Sequence, residues 1–282
     1  MPKSKWSPVS IFRGRKMVNK AKSFYLRILR FRATYGILEM VKRSYVLMFG
    51  LDPYKNAVKA YSDDGNAVIF SKIYDSNLWK TKESRSGRGS TIVYTESIRH
   101  AMPSILRTYS IKYFLDAPCG DFNWMRAVDF PDDCVYFGVD IVQKMIESNR
   151  TKYGESDKRR FGVLDITCDP IPRVDMVFCR DCLFHLSLED IFKFLENFAK
   201  SESKFLMTST HKNRDGFPNS DIKSGDFRVI DLFSEPFCLT SDVLARVDDY
   251  QWPDPEREMC VWSREAVNTA LKHNGRLIEA AV

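Results

Sequence analysis

A chain of 282 residues with 44% hydrophobic and 28% charged side chains can hold one large α/β domain plus an accessory segment. Its net charge of +6 is unevenly placed: residues 1–60 carry 14 Lys and Arg against Glu39 and Asp52, so the other 222 residues sum to −6. That imbalance excludes reading the whole chain as a nucleic-acid binder, and no run reaches the ~20 apolar residues of a membrane span.

From Lys16 to Met48 the chain predicts one helix or a pair. Phe24, Ile28, Phe31, Tyr35, Leu38 and Val41 recur at steps of three and four between basic residues. Lys and Arg break this apolar run too often for a secretory signal. Twelve cations interleaved with apolar side chains suit residues 1–50 to an anionic membrane surface; a basic helix packed on the domain with its charges in water is the alternative. Asp63–Thr91 is polar and turn-rich, ends in KESRSGRGST, and reads as a loop. A helix is expected from about Thr91 as N-cap, with Ile92, Thr95, Ile98 and Met102 on one face, until Pro103 kinks or ends it.

After Ser110 short apolar runs alternate with amphipathic segments. The runs are KYFLD ending at Asp116, CVYFGVD at Asp140, RRFGVLD at Asp165, VDMVFC at Cys179 and SKFLMTST near Thr210. Helical segments are expected at Phe122–Val128, Ile141–Lys152 and Ser187–Lys200, the last capped by Ser187 with Ile191, Phe192, Leu195 and Phe198 on one face. Alternation of this size predicts a doubly wound, mostly parallel sheet, whose ligands bind beyond the carboxyl ends of the strands. Three runs end in Asp, which puts three carboxylates on that edge. The chain divides into 1–60, a basic amphipathic helical extension; 61–110, a loop and helix; and 111–282, the nucleotide-binding domain. Seven scattered cysteines, an odd number, suit a reducing cytoplasm. Cys179 and Cys182 form a C-x-x-C with no second pair at zinc spacing, so no metal is expected.

The run Asp116-Ala-Pro-Cys-Gly120-Asp121-Phe-Asn-Trp124 is a strand, a Gly-bearing turn and a helix start. Asp140, 20 residues after Gly120, has the offset of a carboxylate that accepts from both ribose hydroxyls. Asp165 can then reach an adenine amino group, with Ile166 giving backbone and apolar contact. One glycine, a proline and the acidic Asp121 repel a pyrophosphate, which argues against NAD or FAD. S-adenosylmethionine (SAM) carries a sulfonium and an ammonium, and both favour nearby carboxylates.

The Asp116–Asp121 string resembles the first motif of class I SAM-dependent methyltransferases in a D-x-x-C-G-D variant. DAPCGDFNWM, YFGVDIV, FGVLDIT and CRDCLFHLS together resemble a bacterial subgroup, some of it associated with glycan loci; the resemblance runs from about Trp79 to Trp262. It implies a seven-stranded Rossmann-like sheet; the helical N-terminal extension before about residue 60 lies outside the resemblance. Cofactor contacts are then implied from Asp116, Ala117, Pro118, Gly120, Asp121 and Trp124, from Asp140, Ile141, Asp165 and Ile166, and from Arg180.

On the acceptor side, Cys179-Arg-Asp-Cys-Leu-Phe-His185 follows the fourth strand. His185 titrates near neutrality and suits a general base, with Asp181 orienting its ring or the acceptor. Equally, His185 caps the next helix and Asp181 pairs with Arg180. The polar stretch His211–Arg228 resembles an N-x-D-I-x-x-G-x-x-R segment, with Asn219, Asp221 and Arg228 as substrate-binding candidates. The expected function is O-methylation of a polar small molecule or glycan, by a cytoplasmic enzyme or one peripheral to the inner face of the membrane. The alternatives are methylation of RNA or protein through the basic N-terminus, and a methyltransferase-fold binding module without turnover.

Overall fold

The computed structural model describes residues 64–79 and 81–276, with Tyr54 and residues 58–60. The helices expected over Lys16–Met48 lie outside the described residues.

Seven strands among these residues form one sheet: β1 (Tyr113–Asp116), β2 (Val135–Asp140), β3 (Arg159–Val163), β4 (Met176–Cys179), β5 (Phe205–His211), β6 (Ala245–Asp248) and β7 (Arg257–Ser263). Their order is β3-β2-β1-β4-β5-β7-β6. The first five are parallel, and β7 runs antiparallel to both β5 and β6. The reversal of strand order between β1 and β4 opens a crevice at their carboxyl ends.

Successive side chains of a strand point to opposite faces, and both faces are dry. Leu115, Val177, Leu206 and Trp262 pack on one side against α4 (Leu188–Lys200) and α5 (Arg264–His273). Phe114, Phe178, Met207 and Val261 pack on the other against α2 (Glu96–Thr108), with Ile146 of α3 (Gln143–Tyr153). Each fully buried Leu or Phe contributes ~1.5–3 kcal/mol of transfer free energy, so these two layers carry most of the fold. The α4 start is as its sequence implies: Ser187 accepts from the Asp190 amide at 3.1 Å.

Three local expectations are corrected. The segment read as loop contains a helix, α1 (Asn66–Asp75), because Ile69 and Ile73, four apart on one face, bury completely or nearly so. Helix α2 starts at Glu96 after Thr95, not after Thr91, and Pro103 lies inside it. The buried stripe Ile98, Met102, Ile105 and Leu106 anchors that helix on both sides of the proline, so packing overrides the lost backbone bond. The helix expected at Phe122–Val128 is a single 3₁₀ turn, Met125–Ala127. Gly120 and Phe122 have φ of +54° and +56°, and Phe122, Trp124 and Met125 are all buried, which leaves no solvent face for a helix. Asp165 lies two residues beyond the end of β3.

Candidate active site

A cleft enclosing about 1000 Å³, counting the part open to solvent, occupies the β1/β4 crevice. Of the residues expected at the cofactor, Asp116, Pro118, Gly120, Trp124, Asp140, Ile141, Asp165, Ile166 and Arg180 line it, as do Asp181 and His185. Ala117 and Asp121 do not. The amide of Ala117 donates to the Phe178 carbonyl at 2.8 Å, which makes that residue an extension of β1.

The carboxylates are held differently. Asp116 is buried, accepts from the Tyr136 hydroxyl at 2.7 Å, and has its pKa pushed up to about 8 by burial. Asp140 accepts from the amides of Gly120 at 3.1 Å and Val142 at 2.9 Å, and burial pushes it up to about 6. Asp165 accepts from both the amide and the hydroxyl of Thr167. Among the described residues neither carboxyl makes an ion pair, and the attraction of Arg180 for Asp116 does not offset burial, so a cationic ligand would add the missing countercharge. No helix N-terminus follows the Gly120 turn to receive a pyrophosphate. An apolar slot of Ile141, Leu164 and Ile166 flanks the acids. The donor set therefore fits a cationic nucleoside such as SAM.

Asp121 has another task. Its carboxylate accepts from the Ser84 hydroxyl at 2.9 Å and the Arg85 amide at 2.7 Å, while its own amide donates to the Ser86 hydroxyl at 2.9 Å. These bonds clasp the strap Glu83–Thr91 to the β1 turn. Farther along, Gly89 touches the β4 end so closely that a Cβ there would stand 2.6 Å from Asp181 Oδ2.

The β4 end is a buried charge lattice. Arg180 makes a two-pronged pair with Asp249 at 2.7 and 3.1 Å, and donates to the Gly89 carbonyl at 2.9 Å. Arg257 donates to Asp181 Oδ2 at 2.9 Å and to the Tyr94 hydroxyl at 2.9 Å. Burial alone would raise the Asp181 pKa, but Arg180 and Arg257 bring it below the ordinary value, so the group is ionised. Its Oδ1 is buried without a hydrogen-bond partner among the described residues.

No hydrogen bond among the described residues joins Asp181 to His185. Instead His185 Nδ1 lies 2.8 Å from the Asp226 carbonyl, so the proton sits on Nδ1 and the Nε2 lone pair is available. Burial lowers the His185 pKa, which keeps the ring neutral at pH 7.

The acceptor-loop candidates lie elsewhere. Asn219 ties its loop shut through the carbonyl and amide of Asp231, both at 2.8 Å. Asp221 accepts from the Leu188 amide at the start of α4. Arg228 is buried beneath the His185 turn. None of the three lines the cleft. Sequence reasoning missed Asp249, Arg257, Tyr94 and Asp226; Ser84, Ser86 and Gly89 fell in the KESRSGRGST run, which read only as a loop.

The fold is that of class I SAM-dependent methyltransferases. Magnesium protoporphyrin IX methyltransferase from Synechocystis with bound SAH aligns with a TM-score of 0.50 and 14% identity, over 71% of this chain and 100% of that one. Human N-acetylserotonin methyltransferase in complex with SAM aligns at 0.51 and 12% identity, over 84% of this chain and 69% of that one. No protein-family profile matches the chain, and no curated protein matches it in sequence.

The clasp generates a test that needs no substrate. A hydrogen bond to a charged group contributes ~1.5–3 kcal/mol, and 1.4 kcal/mol is tenfold in a local opening equilibrium. Asp121→Ala should raise tryptic cleavage after Arg85 and Arg88 at least ~10-fold. Unchanged cleavage would mean the strap is held without Asp121.

Proposed function

We propose that this chain is a SAM-dependent methyltransferase that O-methylates a polar small molecule or glycan. The observation that carries the reading is the placement of Asp116, Asp140 and Asp165 in the same cleft as the tautomer-fixed His185. Asp140 would accept from the ribose hydroxyls through lone pairs its backbone bonds leave free. Asp165 and Ile166 would take the adenine, and Asp116 would face the positive end of the ligand. Bound SAM would supply an electrophilic methyl group.

The acceptor hydroxyl would donate to Asp181 Oδ1, buried without a partner among the described residues, or to His185 Nε2, the ring nitrogen that the Nδ1–Asp226 contact leaves as the acceptor. An ionised carboxylate beside two guanidinium groups is a weak base, so the proton goes to His185 Nε2. The histidine works only when unprotonated, and burial lowers its pKa. Turnover should therefore be level at neutral pH and fall as pH drops below the ordinary histidine value of ~6.5.

Labelled-methyl transfer from SAM into fractionated cell extract identifies the acceptor. With that acceptor, His185→Ala should lower kcat roughly 100-fold or more and leave SAM affinity nearly unchanged, and the acid limb should vanish. Near wild-type turnover would reduce His185 to a helix-end residue. Label recovered in RNA or protein would replace the small-molecule reading.

Residues 1–50 are further proposed to lie on an anionic membrane face, which rests on their 12 cations interleaved with apolar side chains. No helix among the described residues is long and apolar enough to cross a membrane. Deleting residues 1–50 should abolish flotation with anionic vesicles; equal recovery with neutral vesicles contradicts the proposal.

A further inference from the structure

SAM carries one group that an acidic cleft does not suit. Beside its ammonium and sulfonium it has a carboxylate, and the cleft is lined by Asp116, Asp140, Asp165 and Asp181. Arg180 is the one Lys or Arg among the described lining residues, and its nitrogens are engaged, Nε and Nη2 by Asp249 and Nη1 by the Gly89 carbonyl. The strap arginines turn elsewhere: Arg85 donates to the Tyr74 carbonyl and Arg88 to Asp254. A carboxylate taken from water into this cleft needs donors from another source.

Ser86 and Ser90 line the cleft from the strap, and both are half-buried. Ser86 rests on the β1 turn so closely that a Cβ on Gly120 would stand 2.2 Å from its Oγ. That oxygen accepts from the Asp121 amide at 2.9 Å, while its own hydrogen has only long contacts, 3.5 Å to Asp121 Oδ1 and 3.8 Å to Met145 Sδ. Asp121 Oδ1 is already taken by the Ser84 hydroxyl at 2.9 Å. Ser90 is fixed through its main chain. Its carbonyl accepts from Asn123 Nδ2 at 3.0 Å, and its amide donates to the Gly87 carbonyl at 3.1 Å. Among the described residues no hydrogen bond reaches the Ser90 hydroxyl.

Strand order decides which part of the ligand would meet these two hydroxyls. With adenine at Asp165 and Ile166, beyond β3, and ribose at Asp140, the end of β2, the next position across the sheet is the β1 turn. The aminoacyl chain would therefore extend over Gly120 and against Ser86, towards the part of the strap where Gly89 meets Arg180.

We infer that the Ser86 and Ser90 hydroxyls donate to the carboxylate of the SAM aminoacyl chain, so that the strap selects nucleosides that carry this carboxylate. The inference rests on the cofactor placement proposed above. Asp116 and the strap then divide the amino-acid end between them: the carboxyl faces the positive charge and the hydroxyls take the negative one. The Asp121 clasp holds Ser86 in position for this.

Three adenosine thioethers separate the carboxylate from the rest of the ligand: S-adenosylhomocysteine (SAH), its decarboxylated amine, and 5′-methylthioadenosine, which lacks the whole chain. Calorimetry gives the affinity of each for the full wild-type chain, S90A and S86A. A hydrogen bond to a charged group is among the stronger ones, so S90A should weaken SAH about 10-fold and change the other two less than about twofold. S86A should weaken SAH at least as much, because it also removes the acceptor of the Asp121 amide. Tryptic cleavage after Arg85 and Arg88 should be the same in S90A as in the wild type, which separates a lost contact from a loosened strap. Undiminished SAH affinity in S90A, or an equal loss for all three ligands, would overturn the assignment. Failure of the wild type to bind any of the three would instead remove the cofactor reading, and the inference with it.

Discussion

Arg180 sits at the end of β4 with its side chain 3% exposed, and five parts of the molecule meet on it. It pairs with Asp249 just beyond β6, donates to Gly89 of the strap, and lies 3.4 Å from Asp181 and 5.2 Å from the Trp124 ring centroid. Through Asp181 it reaches Arg257 at the start of β7. A guanidinium taken this far from water is tolerable only while its partners stay in place, since removing one partner of such a pair costs ~3–5 kcal/mol. The lattice therefore fixes strap, β4 end and antiparallel edge together. Asp181 is kept ionised by the same two arginines that hold it still.

Across the cleft the electrostatics are of the opposite kind. Among the described residues Asp116 and Asp140 have no cation within bonding distance, only a tyrosine hydroxyl and backbone amides. Burial has moved both carboxyls toward their neutral forms. One wall of the crevice is satisfied by protein and the other is left for a ligand to satisfy. That asymmetry supports the proposed placement of the cofactor on the β1/β2 side and of the acceptor on the β4 side.

Much of this was legible in the chain. Parallel strands buried on both faces read as continuous apolar runs, which made β1, β2, β4 and β5 visible; the edge strand β3, with only Phe161 buried, was marked by the acid that follows it. The edge strand β6, half-exposed residue by residue, and β7, which opens with Arg257 and Glu258, carry no such signal. Helix α1 was hidden because its only buried residues are two isoleucines, with Phe70 half-buried against the core beside them. The roles of Asp121 and Asp226 were beyond reach for another reason. An aspartate that clasps a strap 35 residues upstream, or a main-chain carbonyl that orients a ring 41 residues away, leaves no mark in local spacing.

Asp116 is a carboxyl that waits for a cation, and calorimetry of SAM binding at pH 7 in two buffers of different ionisation enthalpy tests it directly. With its pKa near 8, Asp116 is mostly protonated in the free protein, and an adjacent positive charge lowers that pKa. Binding should therefore release most of one proton, seen as a buffer-dependent heat, and Asp116→Asn should bind with equal heats in both buffers. Wild-type heats that do not depend on buffer, or no SAM binding at all, would contradict the account.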